Sequence, residues 1–448
     1  MDRKALSDAV ADRLGDKQLV YFGTRGEDVE AVADLGRLTG AFSIIAAYGG
    51  RSAVQSGALE DLTGVRPDLD TFDLDAEPRS EAMMILRRTM LRALSRPTIV
   101  FAYRPSTFVS AVCFARHDRC RYLGLSKDHQ AAFEHKPWVE SAIADLGMAH
   151  IPWRYISDDD QLETMRFFDD GPVMLRRSRT TGGVGMVRVD DPSQLESLWF
   201  HDDEAYVSVA PFLEGGIPVN VGGVVWHDGV TLHPASIQLI GIDGCTTRPF
   251  GFCGNDFQAV SDLGPDVLDA IDTSSRVVGQ WLRTFGYRGA FGVDFLVRDG
   301  VPLFTEVNPR FQGSTHASCR LSVEEGESCL MLEHLAAHLG IDAPPCRSLR
   351  EQAASASPLA HLVVHWGGGD AVISATDLVN AVGASIPGSR LDVLASPTRT
   401  SATGATVARI SVRHQITSTG FELVGPLRQI VDDWNRTAAH VSPSAPGT

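Results

Sequence analysis

GVDFLVRDGVPLFTEVNPRFQGST, residues 292–315, places two β-rich runs on either side of Arg298–Asp299–Gly300. A charged pair closed by glycine reads as a tight turn, so the segment predicts a hairpin. Strand side chains alternate between faces. Asp294 therefore lies on one strand face, and Glu306 and Asn308, two residues apart, share a face of the partner strand. The hairpin gathers two carboxylates and an amide oxygen at one point. Hard oxygen ligands without His or Cys suit Mg²⁺, especially where phosphate completes its shell. Both acids interrupt apolar strand positions. Held together without a cation, they would suffer repulsion and desolvation. Arg310, just past the second strand, is placed to meet an anion beside the metal.

Upstream, PVMLRRSRTTGGVGMVRV (residues 172–189) runs a strand into a loop with Gly182, Gly183 and Gly185, and a second strand leaves. Such glycines let backbone N–H groups close on phosphate oxygens, and Arg176, Arg177 and Arg179 add positive charge. It is not a Walker loop, because GKS and GKT are absent and a strand follows instead of a helix. An ordinary glycine hairpin is the alternative reading. A metal site in the same chain favours phosphate.

The rest of the chain bounds these signals. Its 448 residues suggest two to four domains, and 44% hydrophobic with 21% charged residues excludes wholesale disorder. The net charge of −16 argues against nonspecific binding to nucleic acid or an anionic membrane. The N-terminus has no apolar run behind its charges, and seven cysteines without a CxxC predict reduced thiols in a cytoplasm. Lys4, Lys17, Lys127 and Lys136 are the only lysines.

Residues 1–125 read as strands (QLVYFG, AFSIIAAY, TIVFAY) alternating with helices such as Glu81–Ser95, which predicts a parallel sheet. YFGTRGED (residues 21–28) reads as a strand, a glycine turn and a helix start, without the full dinucleotide spacing. A helix over Lys136–Leu146 ends at Gly147. REQAASASP (residues 350–358) reads as a linker, and residues 359–437 as a further strand-and-helix unit. The expected layout is an N-terminal α/β domain (1–125), a central α+β domain (126–345), a small C-terminal α+β domain (359–437) and a disordered tail (438–448).

The ordered motifs resemble the ATP-grasp superfamily over residues 126–320. The segment from Lys136 to GMAHIP (residues 147–152) is similar to the superfamily's first nucleotide-binding lysine and the loop after it. Arg176 stands where a second lysine is usual. Arg for Lys keeps the charge but changes the contact geometry. VSVAPFLEGG (residues 207–216) resembles the hinge that holds adenine through backbone at Pro211 and Leu213. The usual acidic residue for ribose is missing there. Ala210 and Asn220 occupy the corresponding positions, and Glu214 is the candidate replacement. Asp294, Glu306 and Asn308 match the metal ligands, and Arg310 matches the arginine of the E-x-N-P-R motif. The resemblance implies ATP and Mg²⁺ as cofactors, with Lys136, Arg176 and the glycine loop on the phosphates. It also implies ligation of a carboxylate to an amine through an acyl phosphate, with Arg310 and Arg176 catalytic, small-molecule substrates and a homodimer. Length and layout are most similar to the antibiotic-pathway amino acid and peptide ligases of the pheganomycin type. A ligase or carboxylase with another acceptor, and a non-catalytic nucleotide-binding regulator, stay open.

Weaker signals read as structure. His334 and His338, four apart on a helix, lack the HExxH order of a zinc site. HWGGGD (residues 365–370) reads as a turn. In the irregular stretch TTRPFGFCGND (residues 246–256), Arg248 is a candidate for a substrate carboxylate, with a plain surface loop as the alternative.

Overall fold

The computed structural model describes residues 2–46, 55–76, 79–201, 205–396 and 398–438. The expected tail beyond residue 438 lies outside them. Residues up to 125 form a five-stranded parallel sheet. Its centre is Gln18–Arg25, paired with Leu38–Ile45 and Thr98–Ala102. Thr98–Ala102 is buried along its whole length, as a parallel strand covered on both faces should be. The helix Glu81–Ala93, capped by the Ser80 hydroxyl, packs Met83, Leu86 and Met90 into one apolar layer. Gly23 does not make the expected turn. The strand runs through it to Arg25, and a 3₁₀ helix, Gly26–Leu35, follows. A Cβ on Gly23 would meet the Tyr21 ring, which accounts for glycine inside the strand.

A four-stranded antiparallel sheet comes next. It contains Arg154–Ser157, Tyr206–Pro211, Val173–Thr181 and Val184–Val189, in that spatial order. The last two form a hairpin whose turn, Gly182–Gly183, has both φ values positive (55° and 77°). Two such residues in succession are met most readily by glycine.

The largest sheet has nine strands. Val301–Asn308, Gly289–Arg298, Ile217–Val225, Ser236–Ile240 and Phe252–Asp256 lead directly into Ala360–His365, Thr406–Val412 and Arg390–Val393. The C-terminal segment therefore extends the central sheet. The sequence predicts TTRPFGFCGND to be irregular throughout, but its second half, Phe252–Asp256, is the strand at the join. The stretch expected as a linker is instead the helix Leu349–Ser355, closed by a capping box between Ser348 and Glu351. The 20-residue helix Pro265–Thr284 buries Leu268, Ile271, Val278 and Leu282 on the sheet. No described helix is long and apolar enough to cross a membrane.

His334 and His338 lie on Leu330–His338 against Gly289, where a Cβ would strike both rings. His334 Nδ1 accepts the Ala290 N–H, and burial lowers the pKa of both imidazoles. They are core histidines.

Candidate active site

The hairpin of Gly289–Arg298 and Val301–Asn308 turns at Asp299–Gly300, again with positive φ at both residues. From that turn, regular pairing sets Phe295 opposite Phe304 and would bring Thr305 opposite Asp294. The register instead shifts at this point, so Asp294 pairs with Glu306. A single bulged residue, Thr305, thus turns Glu306 onto the face of Asp294. On the other side of Asp294, Asn220 is its direct partner. A polar row, Asn220–Asp294–Glu306, crosses three adjacent strands, with Asn308 one step along.

Asp294 is buried and surrounded by amides. Asn220 Nδ2 donates to it at 2.5 Å, Asn308 Nδ2 at 3.1 Å and Gln312 Nε2 at 3.3 Å. Burial and the neighbouring Glu306 raise its pKa to about 8. Burial acts in the same direction on Glu306, but Lys136 and Asn308 outweigh it and hold that carboxyl at about 2. Lys136 Nζ lies 3.0 Å from Glu306 Oε2. It projects from the first turn of the helix Lys136–Asp145, which the sequence placed one residue longer.

One turn along the same helix, Glu140 receives Arg176 Nη2 at 2.6 Å and the Tyr155 hydroxyl. The Arg176 guanidinium lies 3.7 Å from the centre of the Trp153 ring, and its Nε is buried without a partner. Arg310 Nε pairs with Glu134 at 3.0 Å, and its Nη1 donates to the Phe311 carbonyl. Arg104 stands near it. Arg310 and burial together lower Arg104 to about 10, with Glu134 and Asp70 acting the other way.

Of these groups, Arg104, Lys136, Trp153, Arg176, Asn220, Asp294, Glu306, Asn308, Arg310 and Gln312 line one cavity of about 380 Å³. At one end Ile151, Trp153, Met174, Met186 and the hinge Pro211–Leu213 form an apolar slot. In the middle are Lys136, Arg176, Asp294, Glu306, Asn308 and Arg310. Gly182 and Gly183 close over it. A Cβ on Gly182 would run into the Asp70 carboxylate, and one on Gly183 would lie 1.9 Å from the Phe250 carbonyl oxygen.

Most residues singled out from sequence thus meet at one cavity, and three do not act as expected. Glu214 turns outward and pairs with Arg188 at 2.9 Å, so it offers ribose nothing here. Asn220 sits beside the acid pair, bonded to Asp294 and to the Ser314 hydroxyl. Arg248 is taken by Asp70 at 2.8 Å and by Asp68, and ties the N-terminal segment to the loop beneath Gly183. Gly185 lies in the strand after the turn, against Arg177. The Arg179 side chain is outside the described residues. Sequence reading missed Glu134, Glu140, Trp153, Gln312 and Arg104. Arg104 had a signal, since it follows the end of the strand Thr98–Ala102 by two residues.

The residues present fit ATP and Mg²⁺. The slot holds an orphaned buried donor, Trp153 Nε1, and a second one in Arg176 Nε. Two carboxylates and a carboxamide form an all-oxygen donor set once the Asn308 amide presents its oxygen.

Residues 161–314 match the family model described as an ATP-grasp domain. Formate-dependent phosphoribosylglycinamide formyltransferase of a Synechococcus strain is 26% identical over 178 residues, 38% of this chain. A carbamoyl phosphate synthase large chain of Neisseria meningitidis is 25% identical over 203 residues, 42% of this chain. The matched regions span only 42% and 17% of those two relatives. Among solved structures, N5-carboxyaminoimidazole synthase of Aspergillus clavatus, in complex with ADP and its ribonucleotide, superposes with TM-score 0.61 at 16% identity. It covers 93% of this chain and 99% of that one. Biotin carboxylase of Campylobacter jejuni gives TM-score 0.56 at 13% identity, covering 92% and 90%. The fold is therefore common to all three parts of the chain.

Proposed function

We propose that this protein is an ATP-dependent ligase that activates a carboxylate as an acyl phosphate and joins it to the amine of an amino acid or peptide, releasing ADP and phosphate. The observation that carries this is the row Asn220–Asp294–Glu306 with Asn308, ringed by Lys136, Arg176 and Arg310 on one cavity.

Adenine would enter the apolar slot against Pro211–Leu213, with the Arg176 guanidinium at its edge. Asp294, Glu306 and Asn308 would hold Mg²⁺, which would supply positive charge to offset that developing on the phosphates during transfer. Lys136 and Arg176 bind phosphate oxygens. The acid's carboxylate oxygen attacks the γ-phosphorus, and the bond to ADP breaks. The amine nitrogen then attacks the acyl carbon, phosphate leaves, and the amine proton passes to solvent. Arg310, fixed by Glu134, stabilises the negative charge on the acyl phosphate and on the adduct that follows. The Gly182–Gly183 turn, seated on Phe250, excludes water that would hydrolyse the acyl phosphate. No side-chain nucleophile takes part.

The assignment extends to the antibiotic-pathway amino acid and peptide ligases of the pheganomycin type on the layout of motifs, to a homodimer, and to a cytoplasmic setting on seven free cysteines. A second reading has bicarbonate as the acid. It is favoured by the near-complete superposition on N5-carboxyaminoimidazole synthase and on a 2-oxoglutarate carboxylase domain described with MgADP and bicarbonate. ADP release is the test, measured over amino acids and short peptides in bicarbonate-free buffer, with mass spectrometry of the product. Release that needs amino acids supports peptide ligation. Release that needs bicarbonate supports the second reading. No release with either sinks both.

A further inference from the structure

The far end of the cavity carries a polar cluster that hinge, phosphate and metal leave unused. Thr24 and Arg25 reach it from the N-terminal sheet, Asp28 from the 3₁₀ helix that follows, His316 from the helix after the Asp294–Glu306 hairpin, and His361 and Arg409 from the C-terminal strands. All three parts of the fold therefore meet there.

The charges are not equally satisfied. Arg409 gives Nη1 to Asp28 Oδ1 and Nη2 to Glu27 Oε1, each at 2.9 Å. Arg25 gives only Nη2 to the Thr406 hydroxyl, at 3.2 Å. Its Nε is buried without a partner, and no carboxylate among the described residues lies within ion-pair distance of it. Asp28 and Glu27 act on Arg25 only from beyond contact, so its enclosed guanidinium keeps room for an anion. Asp28 has spare capacity of the opposite sign. Its Oδ1 also meets His316 Nδ1 at 3.4 Å, but its Oδ2 meets only the Thr24 hydroxyl, at a long 3.4 Å. An ionised carboxylate accepts several donors, so Oδ2 is open to a cationic one. His361 Nδ1 is also buried and unpartnered. Around this end Arg25, Arg390 and Arg409 face Glu27, Asp28 and Asp392, so charges of both signs are interleaved. That balance suits a ligand carrying both signs and disfavours a phosphate dianion.

We propose that this end of the cavity is an amino-acid subsite, which takes the α-carboxylate on Arg25 and the ammonium on Asp28. Its role as a substrate site rests on the ligase reading above.

The test is calorimetric titration of the full chain, with Mg²⁺ and a non-hydrolysable ATP analogue present, using each of the twenty L-amino acids. The best binder is then compared with its amide, its 2-hydroxy acid counterpart and inorganic phosphate. At least one amino acid should bind, and losing either charged group should weaken it by about tenfold or more. Arg25→Gln should lose a similar factor and Arg25→Lys should recover part of it, with thermal melts checking the fold. Thr406→Val, which removes the hydroxyl but keeps the guanidinium, should still bind. Binding of the ATP analogue without any amino acid would overturn the subsite and leave the ATP reading standing. So would equal binding of the amide, or binding of phosphate alone. If the analogue itself does not bind, the ligase reading fails first, and the subsite loses its role with it.

Discussion

Lys136 Nζ stands 3.0 Å from Glu306 Oε2, although 170 residues separate them in the chain. The ammonium offsets part of the negative charge that Glu306 and Asp294 would otherwise share. On the proposed reading, a divalent cation would take over that duty and release the lysine to phosphate.

Glu306→Gln keeps the side chain's shape and removes its charge. Turnover measured by ADP release should fall at least roughly 100-fold, the scale of losing a charge partner in phosphoryl transfer. Near-normal release at saturating Mg²⁺ would remove Glu306 from the metal site.

Arg176→Ala deletes a guanidinium that stacks on Trp153 and pairs with Glu140. A charge-assisted contact contributes about 1.5–3 kcal/mol, so the KM for ATP should rise roughly 10- to 150-fold. Arg176→Lys should retain substantial function, since it keeps a cation for Glu140 and for phosphate. Unchanged ATP affinity in the alanine variant would show that this residue does not touch the nucleotide.

Proton and metal compete at Asp294. Its folded pKa of about 8 lies above the roughly 3.9 of an unfolded chain. Between these values the folded state holds a proton that the unfolded state lacks, so this group's contribution to stability falls as pH rises and is fully unfavourable above pH 8. Glu306 runs the other way. Its folded pKa of about 2 gives stability that is present above roughly pH 4.3 and lost as pH falls toward 2. Mg²⁺ relieves only the Asp294 penalty. The rise in melting temperature on adding Mg²⁺ should therefore grow from about pH 6 to about pH 9. A shift that does not vary with pH would contradict this.

Gly183→Ala is expected to lift the glycine turn from its seat. The residue has φ +77° and the new methyl would meet the Phe250 carbonyl. Backbone strain of this kind costs about 1–3 kcal/mol. The fraction of ATP hydrolysed without product should rise as water enters. Unchanged coupling of ADP release to product would show that the turn is not a cover.

If an acyl phosphate forms, ATP yields ADP and phosphate, and oxygen-18 placed in the acid appears in the phosphate. Arg310→Ala should lower kcat far more than it raises the KM for ATP, as befits a residue serving mainly the transition state. AMP as the main nucleotide product would refute the mechanism.

The acids, the turn glycines and the helix of Lys136 were legible because each is local: a strand period, a turn signature, a cap. What could not be read was register. The bulge at Thr305, which alone brings Glu306 opposite Asp294, leaves no mark in composition. Partners that cross the fold were equally silent. Arg248 read as free for substrate because Asp68 and Asp70 lie about 180 residues away. Glu214 read as a ribose ligand because the orientation of a hinge side chain is set by Arg188 on a neighbouring strand. The segment after Ser348 read as a linker because its small polar residues hide a capping box.

The join at Phe252–Asp256 governs what can be cut from this protein. That strand has Ser236–Ile240 on one side and Ala360–His365 on the other. A chain shortened to residue 345 would bare a row of backbone donors and acceptors along Phe252–Asp256, ready to recruit another copy. Such a fragment, though it keeps Lys136, Arg176 and the Asp294–Glu306 pair, would be prone to self-association. Expression designs should therefore treat the last hundred residues as a splint for the sheet that carries the acid pair.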